Sequence, residues 1–189
     1  MNYEFGLDIN DLFRNEHEAL TFAFNFQSQQ YPLSPMSKLG GVKALGTGKG
    51  LVSVDGAAQA GLLRKKLSNL DPLFRNCLTA RFSPKYDQCP CCHGDRAMPE
   101  WVEAIAGLRY WSQTAVSGVS NGHVREAIIK NYFDKKTSIT DAADRAKVPV
   151  RNVHNQRNKI HERLKQVEAQ ALAAYRDAIG IRSAELQES

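Results

Sequence analysis

After Pro149, no glycine or proline interrupts the chain until Gly180. A run of that kind predicts a single helix over Pro149 to Ile179, about 31 residues and roughly 46 Å at the ordinary rise per residue. Val153, Ile160, Leu164, Val167, Ala171 and Ala174 recur along it at intervals alternating near three and four, which makes one apolar stripe. A stripe this long has to be covered, either by helices from earlier in the chain or by a second copy. Its alanine content makes it a weak dimer seam. Burial within the chain is therefore expected, and with it a monomer.

The residues before Pro149 predict what the first turns of that helix do. Residues 124–133 place Ile128, Ile129, Tyr132 and Phe133 on one apolar face. Ser138 followed three residues later by Asp141 resembles a capping box and starts a short second helix. Ala143 falls where two helices would cross, Val148 fills the turn, and Val153 anchors the next helix. This is helix-turn-helix spacing. Lys147 stands where such turns usually carry glycine, so it is asked to adopt a left-handed backbone. With Val153, Ile160 and Leu164 inward, Arg151, Asn152, His154, Asn155 and Asn158 face out, and no acid lies between Arg151 and His161. Arginine can bridge guanine O6 and N7, and asparagine can bridge adenine N6 and N7, in the major groove. Arg145, Lys147 and Arg157 flank that face, near where phosphates would run. The alternative is a three-helix unit with a polar, protein-binding face.

Charge adds to this. The net charge of +5 is modest, but residues 1–30 carry five acids and one arginine, whereas residues 61–86 carry six bases and one acid. Residues 121–170 carry eleven bases and six acids. Such a distribution suits contact with nucleic acid at two places, or equally a solvated basic face. No stretch approaches 18 apolar residues, so no membrane span is expected. The N-terminus lacks the basic start and apolar run of a secretory signal, which points to a reducing cytoplasm.

The first 118 residues read as a helical region. The segment beginning Glu16-His17-Glu18 is read as a helix, and residues 31–50, rich in Gly, Pro and Ser, as a linker. The Gly-Thr-Gly-Lys-Gly run inside it fails as a phosphate-binding loop, because the required glycine is Lys43 and the required hydroxyl is Gly50. Asp55 is read as the cap of a helix with Ala58, Leu62 and Leu63 on one side and Arg64, Lys65 and Lys66 grouped. Asp71 and Pro72 start another, with Leu73, Cys77 and Leu78 inward, and Pro99 opens a longer one.

Between the last two lies "CPCCHG", residues 89–94, holding three of the four cysteines. Cys89 and Cys92 form a C-P-x-C pair, similar to half of a zinc knuckle, whose tight turn aims backbone amides at both thiolates. His93 stands where that turn usually has glycine, and Cys91 takes the variable position, expected to point away from an ion. A closed structural site needs four ligands. Cys77 with His93 is the favoured completion, and His123 the other donor in reach. Buried reduced thiols are the plainer alternative. Thiol redox chemistry would need a strand before Cys89 and a helix after it, and "RFSPKYDQ" reads as loop.

The segments "REAIIKNYF" and "SITDAADRAKVPVRNVHNQRNKIHERL" resemble region four of primary sigma factors. Together with "FSPKYDQCPCCHG" and the Trp-containing helix, they make the whole chain resemble lambdoid prophage proteins, among them the late-gene antitermination proteins called Q. The resemblance implies a factor that binds double-stranded DNA near a late promoter, loads onto bacterial RNA polymerase and makes it ignore terminators. It carries base contact to Arg151, Asn152, Asn155 and Asn158. Lambda's own Q protein has paired C-x-x-C motifs and this chain has one, so no ligand pattern is carried over.

The fold expected is mainly α, a zinc-stapled N-terminal helical region (1–118) and a helix-turn-helix with an extended terminal helix (119–189). The expected function is transcription antitermination without enzymatic activity. A repressor or activator acting at initiation, or a polymerase-binding protein that leaves DNA alone, are the competing readings.

Overall fold

The computed structural model describes residues 9–29, 53–89, 91–118 and 121–181. The Gly-, Pro- and Ser-rich segment 31–50 lies outside them. The described chain is mainly helical: α1 (Ile9–Leu12), α2 (Glu16–Gln29), α3 (Ser53–Ser68), α4 (Pro72–Phe82), α5 (Pro99–Ala115), α6 (Gly122–Phe133), α7 (Ile139–Arg145) and α8 (Val150–Ile179). Between α4 and α5 a two-stranded antiparallel hairpin pairs β1 (Tyr86–Gln88) with β2 (Asp95–Ala97). No described helix is long and apolar enough to cross a membrane.

The described residues form two compact units, those between Leu70 and Leu172 making one and those up to Asn69 together with Ala173 to Ile181 the other. In the latter, α2 packs on α3. Phe13, Leu20, Ala23 and Phe24 are buried, and so are Ala60, Leu63 and Leu67 of α3. Gly56 permits the approach: a Cβ there would stand 2.5 Å from the Phe26 ring. The buried face of α3 is therefore Gly56, Ala60, Leu63 and Leu67, while Ala58 and Leu62 are exposed, a correction to the face expected from sequence. Asp55 also lies inside α3, which starts two residues before it.

The end of α8 belongs to this unit. Tyr175 is fully buried and its hydroxyl donates to the Leu63 carbonyl at 3.3 Å. Arg176 donates twice to the Glu16 carboxylate, at 3.0 and 2.8 Å. Tyr175, not Ala174, continues the stripe, because Ala171, Tyr175 and Ile179 fall four apart and all three are buried. Gly180, at φ +78°, ends the helix. Its N–H and that of Ile181 turn back to the carbonyls of Asp177 and Arg176, a left-handed C-terminal motif that glycine adopts without strain.

Residues 70–172 share one core. Trp101, Ile105 and Leu108 of α5 meet Ile128, Ile129 and Phe133 of α6 and Val153, Ile160, Leu164 and Val167 of α8, all buried. The long stripe is thus covered within the chain, as its composition suggested. A buried side chain of this size contributes about 1.5–3 kcal/mol relative to an exposed one. Arg125 is buried and its guanidinium donates to the carbonyls of Ser112 and Val116. That ties α6 to carbonyls at the end of α5, of which Ser112 O also accepts the Val116 N–H at 3.1 Å. Arg81 grips Glu168 with two hydrogen bonds, 2.6 and 2.8 Å, and Tyr132 donates to the same carboxylate at 2.6 Å. The break expected near residue 118 lies inside this unit, in the connection between α5 and α6.

Candidate functional site

The helix, turn and helix of residues 138–155 form as the spacing predicts. The Ser138 hydroxyl accepts the Asp141 N–H at 3.2 Å and caps α7. Ala143 is completely buried, where any larger side chain would separate the helices. Lys147 takes φ 52°, the left-handed conformation asked of it. Val148 packs against the core and its N–H donates to the Ala143 carbonyl at 3.0 Å, which closes the turn.

From there α8 presents two faces. Val153 and Ile160 are fully buried, whereas Arg151, Asn152, His154, Asn155 and Asn158 are all exposed. Arg151, Asn155 and Asn158 stand four and three residues apart, so they form one row, with His154 beside it. Arg145 and Lys147 are exposed where α7 ends and the turn begins. Arg157 differs from expectation. It is half-buried, and its Nε is buried without a hydrogen-bond partner among the described residues, so it is turned partly into the fold. His161, on the covered side, contacts the Ile128 carbonyl at 3.2 Å, and burial lowers its pKa from the usual value. The second basic cluster also differs from expectation. Arg64 lies over the Phe24 ring and donates to the Ala23 carbonyl, leaving Lys65 and Lys66 as the exposed cations.

The cysteine cluster occupies the tip of the β1–β2 hairpin. "RFSPKYDQ" therefore holds a strand where loop was expected, and the chain returns as a second strand instead of opening a helix. These short strands are exposed and polar, without the alternation that marks a half-buried strand. The tip closes with two backbone hydrogen bonds of 2.9 Å, Cys89 N–H to Gly94 O and His93 N–H to Cys89 O. His93 takes φ 55°, the left-handed position usually given to glycine. A tight turn forms there with histidine in place of glycine.

The sulfurs of Cys89, Cys91 and Cys92 lie within 4.8 Å of one another, a group that could hold a metal ion. Cys91 belongs to it, its sulfur 2.9 Å from that of Cys89, so it does not point away from the ion position. Cys77 and His93, the expected third and fourth ligands, are not in the group. Cys77 is buried in α4 within the hydrophobic core, where burial and the charge of Glu168 push its thiol up to about 12. His93 is exposed on the turn. The thiol of Cys89 is brought down to about 7 by the hydrogen bond from Cys91 and by the backbone N–H groups of Cys91 and Cys92. Those amides favour the thiolate that a metal requires. The turn at the hairpin tip was the missing signal, since it brings the Cys91 sulfur beside that of Cys89 while His93 stays outside the group.

Compared with protein-family models and with curated protein sequences, the chain matches none.

Proposed function

We propose that this chain is a DNA-binding transcription regulator of the late-gene antiterminator kind, acting in the bacterial cytoplasm. Its N-terminal half of α8 enters the major groove of double-stranded DNA, and another surface engages bacterial RNA polymerase. One observation carries the DNA reading: Arg151, Asn155 and Asn158 form an exposed row on the second helix of a helix-turn-helix, directly opposite the buried Val153 and Ile160. Guanidinium and carboxamide groups at that spacing suit base edges. Arg145 and Lys147 beside them suit phosphates. The polymerase and terminator parts rest on the sigma-like resemblance of residues 124–164. Zinc is the ordinary occupant of a C-P-x-C turn, and we assign it to Cys89, Cys91 and Cys92 as the resting ion.

Transcription in vitro on a template with a promoter and a downstream terminator tests the reading. The expected result is more full-length transcript on templates carrying the bound DNA site, and none on templates lacking it. Loss of all transcripts would make the protein a repressor. Readthrough independent of template sequence would make polymerase, not DNA, its target.

A further inference from the structure

The three cysteine sulfurs at the hairpin tip do not make a closed structural site. We infer that they form an open, exchangeable site for a thiophilic ion satisfied by three sulfurs, Cu(I) in preference to Zn(II). This inference rests on the metal reading above and is independent of the DNA reading.

Three observations carry it. Structural zinc takes four protein ligands, and only three donors come together among the described residues. Cys91 and Cys92 are exposed and Cys89 is half-exposed, so a fourth position on the ion would open to solvent. Zinc here would keep a water and exchange. A soft monovalent ion that accepts three thiolates needs no fourth group. Three sulfurs around one ion at about 2.3 Å stand about 4 Å apart, which the tip reaches once Cys89 and Cys91 open by roughly 1 Å.

The second observation is that the hairpin is rooted without an ion. Tyr86, Asp87 and Gln88 pair with Ala97, Arg96 and Asp95, and Met98 N–H donates to the Lys85 carbonyl at 2.9 Å. Lys85 donates to the Phe133 carbonyl and Tyr86 to the Asp134 carboxylate at 3.1 Å, which ties β1 to the end of α6. The Tyr86 ring also packs on Trp101, centroids 5.7 Å apart. An ion at the tip closes nothing that these contacts leave open.

The third is the spacing of the donors. All three lie within four consecutive residues, so the unfolded chain keeps them together and binds an ion too. Binding to both states leaves stability nearly unchanged. A ligand on α4, such as Cys77, would instead have linked ion binding to folding.

The test titrates the reduced, zinc-loaded full chain with Cu(I) in the absence of oxygen. A chromophoric Cu(I) chelator serves as competitor and a zinc indicator reads the released metal. One Cu(I) per chain is expected to displace the zinc, with melting temperatures of apo and loaded protein within a few degrees. Outer groups around a metal are worth 10–100-fold in affinity, so removing a ligand with Cys91→Ser should weaken Cu(I) binding by more than about 100-fold. His93→Ala and Cys77→Ala should leave binding at the parent value. Zinc retained through excess Cu(I), or released by His93→Ala or Cys77→Ala, would establish a closed four-ligand site and overturn the inference alone. Binding of neither ion would overturn the metal assignment as well.

Discussion

The Val148 N–H donates to the Ala143 carbonyl across the turn between α7 and α8, and Lys147 between them is held at φ 52°. The hydrogen bond fixes where α8 starts, and so which of its residues face outward. It also keeps Lys147 in a conformation that costs a side-chain-bearing residue about 1–2 kcal/mol. Lys147→Gly should relieve part of this and raise stability by about 1 kcal/mol in urea unfolding, since glycine's greater freedom in the unfolded chain offsets some of the gain. A stability equal to or below the parent's would mean that the Lys147 side chain contributes as much as its backbone costs.

Ala143 tests the same junction from the inside. It is fully buried in the core that also holds Val153 of α8. Ala143→Leu adds three carbons where none fit, and overpacking of this kind costs about 1–3 kcal/mol. Loss of stability together with loss of DNA binding is expected. A fully stable Ala143→Leu protein would show that α7 and α8 can separate without harm.

Glu16 sets part of the acid limit of stability. Its hydrogen bonds from Arg176 hold the carboxyl below its ordinary value near 4.5, against the opposing effect of burial. A lowered carboxyl pKa contributes stability that is complete above the unfolded value and disappears as pH falls through the folded one. Glu16→Gln weakens the paired hydrogen bonds from Arg176 and should cost about 2 kcal/mol at pH 7, the ordinary worth of a hydrogen bond to a charged group. The gap to the parent should close as the pH drops below about 4.5. Parallel stability curves from pH 7 to pH 3 would contradict the assignment.

The helices of residues 70–172 were legible because their ends carry chemistry. Asp71 with Pro72, Pro99 and Ser138 each stand at the start of an observed helix, and capping is a local interaction that sequence displays directly. Val153, Ile160 and Leu164 were legible because large apolar side chains leave one choice of face. Faces rich in alanine were not. On α3, the set with Ala58 and Leu62 and the set with Ala60, Leu63 and Leu67 both fit helical spacing, and Gly56 against Phe26 decides between them through a contact some thirty residues away. Cys91 was missed for a different reason: C-P-x-C spacing says which cysteines are close but not which way the middle one points, and the turn at the hairpin tip sets its sulfur 2.9 Å from that of Cys89.

Salt dependence separates phosphate contacts from base contacts. Arg145 and Lys147 are exposed at the turn. If each neutralises one phosphate, neutralising both should flatten the log–log salt dependence of DNA binding by about 1.8 units. Sequence preference should stay as in the parent. An unchanged slope would place the phosphate backbone elsewhere.

The central claim is that the row Arg151, Asn155 and Asn158 reads bases. Selection of bound duplexes from a random library tests it most directly, with the parent and the double variant Arg151→Ala, Asn155→Ala run side by side. Each bidentate contact supplies about 1–3 kcal/mol of discrimination. The parent should therefore enrich a motif that includes a guanine and an adenine. The double variant should recover DNA without that motif while binding random duplex about as tightly as the parent. The same motif recovered from both proteins, or no motif recovered from the parent, would contradict the account.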